Sequence, residues 1–356
     1  MIRVAIVGAG IGAQHLDGYR RLPERYHVRT LCDVDLERAR QVAGDDPAIA
    51  LEADFDRVLS DDAIDLVDIC LPPHLHFEMS MAALKAGKHV VCEKPLVPSL
   101  READLLAEQA AASGRTITPV FQYRYGPATA QLRALMDAGL TGKPYVASIE
   151  THWSRGSDYY AVPWRGTWKG EQGGAVLGHA IHNHDLLCSI FGPVARVSAM
   201  VATRVNPIET EDCAALSFEM KNGALATSSI TLGAAGDTTR LRFCFENLTA
   251  ESGTAPYAPA EDQWTFTARN PDDQAAIDAC TATVPAGHSG FAGFFDALAD
   301  ALDGKGGREV TLEDGRRSLE LVSAIYKSAR EVQLVGLPLD AHNAYYDGWL
   351  PSSAWK

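Results

Sequence analysis

A chain of 356 residues is long enough for two domains, and its 46% hydrophobic and 22% charged content is that of an ordinary globular protein. The formal net charge of −14 argues against nucleic acid or an anionic membrane surface as a partner, since both are polyanions. No apolar run approaches the ~20 residues that span a bilayer.

The seven cysteines are scattered, odd in number and without a C-x-x-C pair, so neither a zinc site nor a disulfide framework is indicated. The chain opens directly on the apolar run Ile2–Val7, which leaves no room for a signal peptide, and a reduced, cytoplasmic protein is the expectation.

That opening run reads as a strand, and Gly8-Ala9-Gly10-Ile11-Gly12-Ala13 follows at once. This is the G-x-G-x-x-A form of a dinucleotide fingerprint. Its glycines permit a tight turn and a close backbone approach to a pyrophosphate seated on a helix N-terminus. Such a loop means little without a strand before it, a helix after it and an acid ~20 residues on. Residues 14–22 supply the helix, 28–32 a second strand, and Asp33 the acid. A carboxylate there accepts hydrogen bonds from ribose hydroxyls and repels a 2′-phosphate, which favours NAD over NADP. The competing reading makes Asp33 the cap of a helix over Leu36–Ala43.

Strands and helices continue to alternate. Residues 64–71 form a strand stopped by Pro72-Pro73, and 77–86 form a helix ended by Gly87. Another strand, 90–92, precedes a helix over 99–113, with Ser99 as N-cap and Glu102 completing a capping box. Residues 117–121 give a further strand. This alternation implies right-handed crossovers and a parallel, doubly wound sheet. The strand at 90–92 ends abruptly in Glu93-Lys94-Pro95. Pro95 biases Lys94 toward extended backbone, and a lysine at the carboxyl end of a sheet strand stands where open α/β folds bind ligands. The alternative is a surface salt bridge capping the strand.

Gln122-Tyr123-Arg124-Tyr125-Gly126-Pro127 leads into an amphipathic helix over 128–138, after which the pattern changes. The runs 146–153, 195–204, 214–220, 224–232, 240–246 and 263–267 are strand-like, several with the alternation of a one-sided antiparallel sheet. Asn222-Gly223 is a strong hairpin signal. Helical patterns at 291–302 and 311–334 close the chain.

Among these strands lies a second polar cluster. In a helix, His179, His182 and Asp185 share a face at three-residue spacing, ahead of an apolar stretch. They read as a site or as hydrogen-bonded core residues; two histidines and an aspartate could also hold zinc. Trp153, Trp164 and Trp168 offer flat faces suited to the C–H face of a pyranose, or are core aromatics. Arg155 and Lys169 could recognise a carboxylate, phosphate or sulfonate, or be solvated loop residues.

The order of the glycine loop, Leu71-Pro72-Pro73-His74-Leu75-His76 and Ala86-Gly87-Lys88-His89-Val90-Val91-Cys92-Glu93-Lys94-Pro95-Leu96 resembles the Gfo/Idh/MocA oxidoreductase family. The second cluster resembles its D-x-G-x-H-x-x-D segment, with Gly178 in place of the first aspartate and Ala180 in place of the glycine. The resemblance implies an N-terminal Rossmann domain, 1–122, with a doubly wound parallel sheet. A C-terminal α+β domain, 123–356, would carry a large, mostly antiparallel open sheet, its helix at 311–334 packing back on the first domain. NAD would be held by Gly8, Gly10, Ile11, Gly12, Ala13, Asp33, Leu71, Pro72, His76, Glu93, Lys94, Gln122 and Arg165. Lys94, Arg124, Trp153, Arg155, Trp164, His179, His182 and Asp185 would meet the substrate; either His179 stands in for the aspartate missing at Gly178 or the substrate differs from the family's. Lys94 and His182 would form the catalytic pair, with no metal needed.

The activity so implied is NAD-dependent oxidation of a secondary hydroxyl on a sugar, cyclitol or glycoside. The same residues serve an NAD-dependent glycoside hydrolase that oxidises transiently, eliminates and returns the hydride; a non-catalytic sugar sensor is a third reading. A homodimer or homotetramer is expected by resemblance alone.

Overall fold

The computed structural model describes residues 1–351; the last five residues of the expected 123–356 domain lie outside the described residues. The chain divides into two compact units, Met1–Phe121 with Phe291–Leu319, and Gln122–Gly290 with the residues from Glu320 on.

The first unit is built on β1 (Ile2–Val7), β2 (Tyr26–Cys32), β3 (Ala50–Glu52), β4 (Leu66–Ile69), β5 (His89–Cys92) and β6 (Ile117–Pro119). All pair in parallel, in the order β3-β2-β1-β4-β5-β6. Helices α1 (Gly12–Arg20), α2 (Leu36–Ala43), α3 (Phe55–Ser60), α4 (His76–Lys85) and α5 (Leu100–Ser113) make the connections. A sheet covered on both faces needs strands that are apolar throughout, and Val4, Ile6, Leu66, Val67, Val90 and Val91 are all buried. The strand order reverses between β1 and β4, which puts the ligand crevice of such a fold at their carboxyl ends.

One competing reading falls at a helix start, and one expected cap is incomplete. Asp35, not Asp33, caps α2, accepting from the Glu37 and Arg38 N–H groups. Ser99 caps α5 through the Glu102 N–H, but Glu102 Oε2 is buried with no partner among the described residues, so the glutamate half of the capping box is missing.

The second unit carries β7 (Pro144–Ser154), β8 (Val194–Ala202), β9 (Cys213–Met220), β10 (Leu225–Thr231), β11 (Gly233–Phe245), β12 (Leu248–Glu251), β13 (Thr265–Ala268) and β14 (Val335–Gly336). Their order is β13-β12-β11-β7-β10-β9-β8-β14, antiparallel throughout except for the parallel pair β7 and β10. Along β9, Ala214, Leu216, Phe218 and Met220 are buried while their neighbours face outward, as one-sided burial requires. The β9–β10 hairpin turns at Asn222-Gly223, where Gly223 has φ +88°. The helices of this unit are α6 (Pro127–Asp137), α7 (Ser157–Tyr160), α8 (Trp168–Glu171), α9 (Ile181–Phe191) and α10 (Gln274–Ala282).

Two later helices, α11 (Gly290–Leu302) and α12 (Leu312–Glu331), complete the chain. Phe295 of α11 stacks on Tyr19 at 3.7 Å, and Arg25 pairs with Asp296 at 3.1 Å and Asp300 at 2.8 Å. These contacts give Phe291–Leu319 its place in the first unit. The unit boundary falls within α12, between Leu319 and Glu320.

Candidate functional site

In the first unit, the expected residues converge on the carboxyl ends of four adjacent parallel strands, β2, β1, β4 and β5. Each glycine of the loop answers a different demand. Gly8 has φ +104°, and a Cβ there would lie 2.4 Å from the Cys70 carbonyl oxygen. A Cβ on Gly12 would meet Ile6 Cγ2 at 2.8 Å, so this glycine lets α1 pack on β1. On Gly10 a Cβ would meet nothing within 4 Å, which leaves an open cradle. Ile11 stands at the N-cap of α1, with Gly12 and Ala13 in its first turn. The Ala13 and Gln14 N–H groups turn back on the Gly10 and Ile11 carbonyls at 3.3 and 2.9 Å, and the helix dipole at this end favours an anion.

Asp33, at the end of β2, is buried and accepts from the Ala9 N–H at 2.7 Å and the Asp35 N–H at 2.9 Å. Arg38 reaches it with Nη2 at 2.6 Å and Nε at 3.2 Å. Burial alone would raise its pKa, but the Arg38 guanidinium and the two backbone donors win and hold the carboxyl below its ordinary value. Arg38 was not foreseen from the sequence, because it approaches from the next turn of chain rather than from beside Asp33. The open glycine cradle, the helix start and an ionised carboxylate at the end of β2 fit the phosphates and ribose of a dinucleotide.

His76 fastens the ends of β4 and β5. Its Nδ1 lies 2.7 Å from the Pro95 carbonyl and its Nε2 2.8 Å from the Leu71 carbonyl. Burial lowers its pKa despite these carbonyls, so the neutral ring donates to one of them at a time. Leu71 is half-buried and Pro72 exposed. Glu93 is buried and Lys94 half-buried; Glu93 Oε2 accepts the Lys94 backbone N–H at 3.0 Å.

Beneath Glu93 lies a network the sequence reading missed. His15 of α1 contacts Glu93 Oε1 through Nε2 at 3.2 Å and Asp68 Oδ2 through Nδ1 at 2.8 Å. The Tyr19 hydroxyl donates to the same Asp68 oxygen at 3.0 Å, and Cys70 Sγ sits 3.3 Å from His15. Burial would lower the His15 pKa, but the Asp68 carboxylate and its neighbours raise it well above the ordinary value. Each ring nitrogen thus faces a carboxylate oxygen, Nδ1 that of Asp68 and Nε2 that of Glu93. One ligand atom each from His15, Asp68 and Cys70 lie within 4.8 Å of one another, a metal-like grouping already joined by hydrogen bonds. The available signal was Asp68, a carboxylate inside the apolar strand Leu66–Ile69.

The second unit holds the other expected residues. Gln122 opens a short 3-10 turn, Gln122–Arg124. Arg124 makes a bidentate pair with Asp185, Nε to Oδ2 at 2.7 Å and Nη2 to Oδ1 at 2.6 Å, both residues buried. His182 stacks on Tyr123, with ring centroids 4.6 Å apart and planes at 26°. The 122–124 turn and the start of α9 are thus one assembly.

His179 has different neighbours. The stretch expected as a single helix is a π-helical turn, Val176–Ala180, running into α9. On that turn His179 lies edge-on to Trp153 at 5.4 Å and 5.9 Å from Tyr159. Trp153 is a buried core residue whose Nε1 donates to Thr239 at 3.1 Å, whereas Trp164 is exposed. Arg155 pairs with Asp237 at 2.9 Å, and Arg165 lies over the Tyr159 ring at 3.8 Å. A Cβ on Gly178 would meet nothing within 4 Å.

The start of this segment is held by Glu211, which was also missed. Its carboxylate accepts from the Gly174 N–H at 3.1 Å and the Val176 N–H at 3.0 Å, and from the Tyr326 hydroxyl at 3.0 Å. Gly174 is needed because a Cβ there would sit 1.9 Å from the Glu211 carbonyl oxygen. Burial pushes the Glu211 carboxyl up to about 7 against these donors.

Residues 2–121 match the family model described as the oxidoreductase family, NAD-binding Rossmann fold, and residues 129–251 match the GFO/IDH/MocA C-terminal domain. The chain is 26% identical to an uncharacterized oxidoreductase of Schizosaccharomyces pombe, over 94% of its own length and 99% of the relative's. An inositol 2-dehydrogenase of Saccharopolyspora erythraea is 32% identical over 40% of this chain and 43% of that protein. The WlbA dehydrogenase of Bordetella pertussis, solved in complex with NADH and UDP-GlcNAcA, is similar with a TM-score of 0.81 at 26% identity. That likeness covers 95% of this chain and 99% of the other.

Proposed function

This chain belongs to the Gfo/Idh/MocA family of NAD-binding oxidoreductases, and on that premise we propose that it oxidises a secondary hydroxyl of a sugar, cyclitol or glycoside, with Lys94 and His182 as its catalytic pair. The observation that carries the reading is the Glu93-Lys94 corner. It lies at the carboxyl end of β5, in the sheet that holds the dinucleotide cradle, and Glu93 is held there by His15 at 3.2 Å. The inositol 2-dehydrogenase and the WlbA dehydrogenase solved with UDP-GlcNAcA support a hydroxylated ring as the substrate class.

In this reading the Lys94 ammonium polarises the reacting oxygen and His182 takes the hydroxyl proton. Tyr123 fixes the plane of the His182 imidazole by stacking, and the Arg124–Asp185 pair locks the turn that carries Tyr123 onto α9. NAD supplies the acceptor for the carbinol hydride. A positioned general base is worth ~10²- to 10⁴-fold in rate.

The test is NADH formation across a panel of sugars, cyclitols and glycosides. Sustained NADH build-up with one class supports the reading. Cleavage of a chromogenic glycoside without build-up would replace it with redox-assisted hydrolysis. Tight binding of sugar and NAD without chemistry would replace it with a sensor.

A further inference from the structure

Three arginines of the second unit were expected near the substrate or the cofactor, and two of them are spent within the protein. Arg124 is neutralised by Asp185. Arg155 is neutralised by Asp237 and also donates to the Tyr257 hydroxyl at 2.9 Å and the Ser154 carbonyl at 2.7 Å. Arg165 is different. Among the described residues no carboxylate lies within ion-pair range of it, and its buried Nε–H has no acceptor.

Its position is nevertheless fixed. The guanidinium lies 3.8 Å from the centre of the Tyr159 ring and 5.3 Å from that of Trp164. Arg155 approaches the same Tyr159 ring at 5.5 Å, so two guanidinium groups border one aromatic ring. Among the described residues Asp237 forms an ion pair with Arg155 alone. The carboxylate linked to the ring, Glu171, is bonded to the Tyr159 hydroxyl and accepts the Gly166 N–H at 2.6 Å. Tyr159 also borders His179, three residues before His182. The Arg165 guanidinium is therefore held beside the polar stripe with no ion pair of its own among the described residues.

Resting on the reading of a sugar-oxidising enzyme, we propose that Arg165 is an anion-recognition residue and that the substrate is a sugar bearing an oxyanion, a carboxylate or a phosphate. A guanidinium offers its N–H donors as a rigid fork matched to both groups. Stacking on Tyr159 holds the fork in one plane, which lowers the entropy lost on binding.

The experiment is titration calorimetry of the NADH-loaded protein with matched sugars: glucose, glucuronate and glucose 6-phosphate, extended to other neutral sugars with their acids and phosphates. Wild type is compared with Arg165→Met, Arg165→Lys and, as a nearby control, Lys169→Met. The expected result is an anionic sugar bound at least ~10-fold more tightly than its neutral parent. That preference should vanish in Arg165→Met, return in part in Arg165→Lys and persist in Lys169→Met. Preference for the acid assigns a carboxylate, and preference for the ester a phosphate. Equal binding of neutral and anionic members, no binding by any member, or a preference that survives Arg165→Met overturns the proposal. So does a loss of NADH affinity in Arg165→Met, which would give the residue the cofactor role expected from the sequence. Anion binding without NADH formation would keep Arg165's role and remove the oxidation reading. NADH formation from neutral sugars unchanged in Arg165→Met would do the reverse.

Discussion

Gly10 and Gly8 stand two residues apart and fail differently when a methyl group is added. Alanine at Gly10 meets no protein atom within 4 Å but intrudes on the space the pyrophosphate needs. Alanine at Gly8 meets the Cys70 carbonyl at 2.4 Å and must adopt φ +104°. Gly10→Ala should melt within a few degrees of wild type yet lose NADH affinity by at least ~10-fold, about 1.4 kcal/mol. Gly8→Ala should lower the melting temperature itself. Thermal melts and fluorescence titration with NADH check both. These roles were legible because the fingerprint is local, seven residues from the start of a strand. The His15–Asp68–Glu93 network was not, since its members are 53 and 78 residues apart and meet only once the sheet forms. Arg38 was hidden for a similar reason: it reaches back one helical turn to Asp33.

At the scale of elements, the π-helical turn before α9 depends on a buried acid. Glu211 receives the Gly174 and Val176 N–H groups, and Tyr326, from α12, is the titratable group in contact with it. Its folded pKa of about 7 lies above the ordinary glutamate value of ~4.3. The folded protein thus holds this proton more firmly than the unfolded chain. The resulting stability is complete below pH ~4.3 and is lost as pH rises through about 7. Glu211→Gln is neutral at every pH and keeps an acceptor for the N–H groups. Urea unfolding of the two proteins should therefore diverge from pH 5 to 8, the variant gaining on wild type by at most about 3 kcal/mol at ~1.4 kcal/mol per pKa unit. A difference that stays flat with pH would mean that Glu211 ionises as freely as a surface glutamate. The irregular turn was illegible because three-residue spacing at His179, His182 and Asp185 reads as an ordinary helix, whereas the anchor that alters it lies in the loop before β9, more than 30 residues on.

Across the whole molecule, legibility followed burial. The parallel sheet was readable because strands covered on both faces are apolar runs, as in β1, β4 and β5. The antiparallel sheet was readable where one face is buried, as in β9, while β3, β12 and β14 are only 3, 4 and 2 residues long and leave no period to detect. Phe291–Leu319 joins the first unit through Phe295 stacked on Tyr19 and the Arg25 ion pairs, contacts about 270 residues apart that no local pattern reports. Lys94 and His182 belong to different units of the chain, so their joint role is a claim about function. It is tested most directly by steady-state turnover of a proven substrate with wild type, Lys94→Ala and His182→Ala, alongside NADH titration of each. The account predicts that kcat/KM falls at least ~10²-fold in each variant while NADH binds within a few-fold of wild type. Full activity in both variants would contradict it.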